Sequence, residues 1–100
     1  MGTLEYDVGE KKYVTAVIRS REKDEPVFIN TASWELYEKE GTNLQSGFWG
    51  DAENPEKCII KNNDTVSALI EGEKKGTFIL KFTVTVGPER IVEKVVIRVN

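Results

Sequence analysis

From Thr77 to Val86 apolar and polar positions alternate almost without interruption. Phe78, Leu80, Phe82, Val84 and Val86 interleave with Thr77, Ile79, Lys81, Thr83 and Thr85. Successive side chains of a strand point to opposite faces, so this pattern predicts a strand with one face in a core and the other mostly wet. Gly87-Pro88-Glu89 supplies a turn, with proline fixing φ at a corner position. Arg90 to Val99 then places Ile91, Val95, Ile97 and Val99 on one face, opposite Val92, Lys94, Val96 and Arg98. The two segments form a predicted antiparallel hairpin.

Shorter pieces of the same pattern lie upstream. Val14, Ala16 and Ile18 alternate with Tyr13, Thr15 and Val17, predicting a strand over Tyr13 to Arg19. Pro26 marks a boundary after the charged run Arg21 to Glu25, and Val27-Phe28-Ile29 is expected to open another strand. Lys57 to Lys61 and Thr65 to Glu71 form a further predicted pair. Their link, Asn62-Asn63-Asp64, tolerates left-handed backbone angles. Gly72 to Gly76 reads as a surface loop. Ser33 to Gly41 admits a helix with Ser33 as N-cap and Gly41 as stop, but it is barely two turns long and lacks an apolar stripe. Trp34 and Leu36 sit at strand spacing, and Glu38-Lys39-Glu40-Gly41 reads as a turn leading into a strand over Thr42 to Ser46. The strand reading is preferred.

Composition points the same way. Val, Ile and Thr number 11, 8 and 8, against 5 Leu and 4 Ala, so Cβ-branched residues that suit a pleated surface far outnumber strong helix formers. The 100 residues, 39% apolar and 31% charged, fit one globular domain. Residues 1–11 are expected as a loosely ordered arm. The predicted fold class is all-β: a two-sheet antiparallel β-sandwich of seven to eight short strands.

The segment Gly76-Thr77-Phe78-Ile79-Leu80-Lys81-Phe82-Thr83-Val84-Thr85-Val86-Gly87 resembles the penultimate strand of bacterial and phage immunoglobulin-like domains. Ala32-Ser33-Trp34-Glu35-Leu36-Tyr37, then Gly41 and Gln45-Ser46-Gly47, resembles a hairpin of small Ig-like proteins encoded near tail and head genes of phages and prophages. The resemblance covers about residues 12–99. It implies an immunoglobulin-like sandwich and a virion-associated structural protein, located in the virion or the bacterial cytoplasm. Antibody-type domains pair two cysteines across their sheets, whereas this chain has only Cys58, so the resemblance is to the branch without that disulfide.

Charge and candidate chemistry narrow the functional classes. A net charge of −3 and a pI near 5.0 disfavour a nucleic-acid binder that works by charge alone. Without histidine, imidazole base catalysis and His/Cys zinc sites are excluded. Residues 1–10 lack the apolar core of a secretory signal, and no run approaches the roughly 18 apolar residues of a membrane span. Lys57 and Lys61 flank Cys58, but with no base nearby it reads as a small apolar group. The carboxylates Glu22, Asp24, Glu25, Glu35, Glu38, Glu40, Asp51, Glu53 and Glu56 read as solvated surface rather than a glycosidase pair. Asp51 to Asn54 and Asn62 to Asp64 are oxygen-rich but lack a calcium-loop pattern, and the sequon at Asn63 is read as a turn.

The aromatic residues carry the remaining signal. Trp34 and Phe82 are expected in the core. Phe48 and Trp49, between Gly47 and Gly50, cannot both face one core if they continue a strand, so one is expected to be exposed. A loop plug closing the end of the sandwich is the structural alternative. Thr42 to Gly50 carries no charge, whereas Lys81, Lys94 and Arg98 guard the last hairpin. The expected function is a non-catalytic structural or protein-interaction module, with no cofactor or metal. Leu44, Phe48, Trp49 and Tyr37 form its candidate contact surface for a protein partner or for self-association. The alternative is a carbohydrate-binding or adhesion domain using the same aromatics.

Overall fold

The computed structural model describes residues 3–19, 26–38 and 41–100. Eight strands follow in chain order: β1 Leu4–Tyr6, β2 Lys11–Val17, β3 Thr31–Glu38, β4 Asn43–Phe48, β5 Cys58–Lys61, β6 Thr65–Glu71, β7 Gly76–Val86 and β8 Glu89–Val99. A 3-10 turn at Pro55–Lys57 precedes β5. The large sheet runs β1-β8-β7-β3-β4 and the small one β2-β6-β5. All pairings are antiparallel except β1 with β8. Two sheets in this order make an immunoglobulin-like β-sandwich.

The alternation of β7 sets the core. Phe78, Leu80, Phe82 and Val84 are buried and meet Val95, Ile97, Val99, Trp34 and Leu36 from the neighbouring strands. The small sheet contributes Val14, Cys58, Val66, Ala68 and Ile70. Trp34 and Phe82 are cross-strand partners. The Trp34 indole Nε1 donates to Lys57 O at 2.7 Å, tying β3 to the start of β5 in the opposite sheet and satisfying its one polar atom. The Asn62-Asn63 turn adopts φ of 53° and 66°, as its side chains allow.

Two expectations change, and a third is extended. Val27-Phe28-Ile29 does not open a strand, which starts only at Thr31. Ile29 N donates to Asn63 O in the turn that joins the small sheet's β5 and β6, and Asn30 N donates to Thr85 O in β7 of the large sheet, both at 2.8 Å. The triplet is therefore a crossover between sheets with no neighbour to pair along. Ile29 is buried while Phe28 is exposed. The 1–11 segment holds β1, with Tyr6 buried, and the first residue of β2, so its described part is anchored by the sheet and not a loose arm. Ser33 to Glu38 is strand as preferred, and the strand expected over Thr42 to Ser46 runs on to Phe48. The Arg21 to Glu25 run and the Lys39-Glu40 part of the turn lie outside the described residues.

Candidate functional site

Strand β4, which carries Leu44 and Phe48 and leads into Trp49, is an edge strand among the described residues, paired with β3. Leu36 pairs with Gln45 and Tyr37 with Asn43, which leaves Leu44 as the extra residue of a bulge. The bulge half-buries Leu44 against the core. At the other end of the strand Trp49 N donates to Ala32 O at 2.9 Å. Hydrogen-bonded and non-bonded pairs alternate in an antiparallel ladder, so the Ser33–Phe48 and Glu35–Ser46 pairs are of the non-bonded kind. The peptide groups of Ser46 and Phe48 therefore face outward from the sheet edge.

Phe48 and Trp49 are 53% and 50% exposed. Strand alternation lets one of the two face the core, and neither does. Inward-facing Gly47 is buried beneath the Trp34 ring, and a Cβ there would lie 2.6 Å from the indole Nε1. Beyond Trp49, Gly50 turns the chain at φ +94°, and Asp51 Oδ1 accepts from Glu53 N and Asn54 N at 3.0 and 3.3 Å. Asp51 is thus occupied in capping a turn that holds the aromatic pair at the corner of the sheet.

The structure does not gather all four predicted residues into one patch. Tyr37 is half-buried on the outer face of the large sheet between Asn43 and Ile79. Leu44 packs inward, at the opposite end of β4 from Phe48 and Trp49. Between β4 and β6 runs a groove of about 580 Å³ whose lining includes Lys11, Trp34, Gln45, Glu56 and Glu71. Gln45 was not singled out by the sequence. Its carboxamide spans the two sheets, and only the register of two distant strands makes that visible.

The candidate chemical groups have structural surroundings. Cys58 is buried, and burial pushes its thiol up to about 11, away from the nucleophilic thiolate. Glu38 forms an ion pair with Lys74, and Glu10 with Lys12 at 3.6 Å. Among the described residues no three His, Cys, Asp or Glu side chains gather as a metal site. Among the same residues no helix is long and apolar enough to cross a membrane. Comparison of the sequence with protein-family models and with curated proteins gives no match.

Proposed function

We propose that this sandwich is a non-catalytic structural and interaction module that docks a protein partner through the outer end of β4, with Trp49 as the anchor. One observation carries the reading: two adjacent large aromatics stand half-exposed at the end of an uncharged edge strand whose outward peptide groups face solvent. Tryptophan in such a position is a typical binding hot spot, and an edge without lysine is unguarded against an added strand. The resemblance of Ala32 to Tyr37 and Gly76 to Gly87 to phage Ig-like domains favours a virion-associated assembly as the setting.

Trp34 is buried, so quenchable tryptophan fluorescence reports on Trp49 alone. Titration against the products of neighbouring genes should protect that emission from acrylamide, at an affinity of roughly tens of micromolar or weaker for so small a patch. Trp49→Ala should abolish binding and leave the melting temperature nearly unchanged. If Trp49→Ala binds as tightly as the parent, the docking reading is wrong. Protection by oligosaccharides instead of proteins would transfer the site to the carbohydrate-binding alternative.

A further inference from the structure

Among the described residues, a second edge at the far side of the large sheet has a strand position that no neighbour fills. Strand β1 pairs with β8 only along Ile97 to Val99, although β8 reaches back to Glu89. Among the described residues no strand lies beside Arg90 to Val95 on that side. Asn100 N donates to Tyr6 O, and Val8 N donates to Asn100 O, so even-numbered residues of β8 turn their peptide groups toward β1. Val92 and Lys94 therefore present N–H and C=O groups to the vacant stretch. Opposite them is the free edge of β2, the outer strand of the small sheet. Thr15, Ala16, Val17, Arg19, Glu93 and Val95 line a groove of about 360 Å³ between the two edges.

The apolar surface around this groove is unsatisfied. Leu4 pairs beside Ile97, whose side chain is fully buried, yet Leu4 itself is 41% exposed. Val17, in the groove lining, is exposed as well, and Val92 and Val96 are exposed on the outer face of the same edge. On the outer face Arg90 and Lys94 flank the vacancy, and among the described residues neither forms an ion pair.

We infer that the groove between β8 and β2 accepts an extended segment of a partner protein with alternating apolar and acidic residues, which hydrogen-bonds to Val92 and Lys94. Strand β1 is the template, because it occupies the lower part of the same edge with this pattern. Tyr6 points into the core, while Glu5 pairs beside Arg98 and accepts from Asn100 Nδ2 at 3.2 Å. A strand continued in this register sets its inward residues toward Val95 and its outward residues beside Lys94 and Arg90. The cations on the edge oppose indiscriminate pairing and select a segment of opposite sign. Main-chain bonds supply the affinity and the alternate side chains the specificity. This site is separate from the Trp49 corner and does not rest on the function proposed there.

The test uses the intact domain and a synthetic peptide that repeats the Thr3–Val8 sequence twice. NMR should show shifts and slowed hydrogen exchange at the Val92 and Lys94 amides. Val92→Pro removes an N–H that faces away from β7, and should weaken binding about tenfold, as expected for one lost hydrogen bond. Lys94→Glu keeps that N–H and should reverse the preference toward a peptide with lysine in place of its acids. The melting temperature of each variant shows that it is folded. Trp49→Ala should leave this binding intact. Absence of shifts at Val92 and Lys94 with millimolar peptide, or shifts confined to β4, would overturn the inference, as would a folded Lys94→Glu variant with unchanged preference.

Discussion

The carboxamide of Gln45 pairs with both peptide groups of Glu71, its Nε2 donating to Glu71 O at 2.8 Å and its Oε1 accepting from Glu71 N at 3.3 Å. Strand β5 stops pairing at Ala68, so among the described residues no strand pairs with the last residues of β6 on that side. A side chain from the large sheet supplies one rung of the missing ladder in the small one. Gln45→Ala should cost about 1–3 kcal/mol, since it leaves a part-buried peptide group unpaired. Gln45→Glu keeps the shape but places a carboxylate oxygen against the Glu71 carbonyl. Its deficit relative to the parent should shrink as pH falls and the carboxyl regains a donor. Urea denaturation of the three proteins at neutral and acid pH checks both expectations.

Gly47 is required by the ring that passes over it. An alanine Cβ would sit 2.6 and 2.8 Å from Nε1 and Cε2 of Trp34 and 3.0 Å from Lys57 Cβ. The indole cannot yield freely while its N–H is bound to Lys57 O. Gly47→Ala should therefore destabilise by about 1–3 kcal/mol, the usual cost of overpacking. Thermal melts measure it, and near-ultraviolet circular dichroism should show the displaced Trp34.

Phe82 is wholly buried at mid-strand, between Trp34 on β3 and Glu93 on β8. Phe82→Ala should cost about 3–5 kcal/mol, a large share of the stability of a small domain. A variant that melts within a couple of degrees of the parent would contradict the packing described for this residue.

Burial raises two pKa values, and both act in the same direction. Cys58 moves from 9.0 to about 11, and Tyr6 from 10.0 to about 12 through burial and the nearby Glu10 carboxylate. In each pH window the folded state holds a proton that the unfolded chain has released, so stability falls as pH rises. The loss begins near pH 9 with Cys58 and near pH 10 with Tyr6. Cys58→Ala should abolish the decline between pH 9 and 10 and lessen it up to about pH 11, leaving the part due to Tyr6. The native thiol should react with iodoacetamide far more slowly than the thiol of the urea-unfolded chain.

How much of this was legible depends on whether a residue's role is local. The β7–β8 hairpin is written in strict alternation, and the Asn62-Asn63 turn in residue types that accept positive φ. The preference for strand over helix at Ser33 to Glu38 followed from two apolar positions, Trp34 and Leu36, both of which are buried. Val27 to Ile29 misled because its apolar triplet anchors a crossover through one residue, and burial without pairing looks the same in sequence as a buried strand. The short β1 was hidden among acids, since Glu5 takes its meaning from Arg98, more than ninety residues away. At the candidate site one exposed aromatic was expected and both Phe48 and Trp49 are exposed, while Tyr37 and Leu44 lie apart from them. The bulge at Leu44 depends on how β4 meets β3, which no local pattern encodes.

The parallel pairing of β1 with β8 has a mechanical consequence. Tension applied at Thr3 and Asn100 would draw β1 backward along its own axis and β8 forward along the same line. The bonds joining them, including Asn100 N to Tyr6 O at 2.8 Å, would then be loaded together in shear. An antiparallel hairpin pulled from its adjacent ends parts one rung at a time, whereas this arrangement must break its rungs at once. A domain carried in series within a larger assembly would thus resist stretching through its shortest strand.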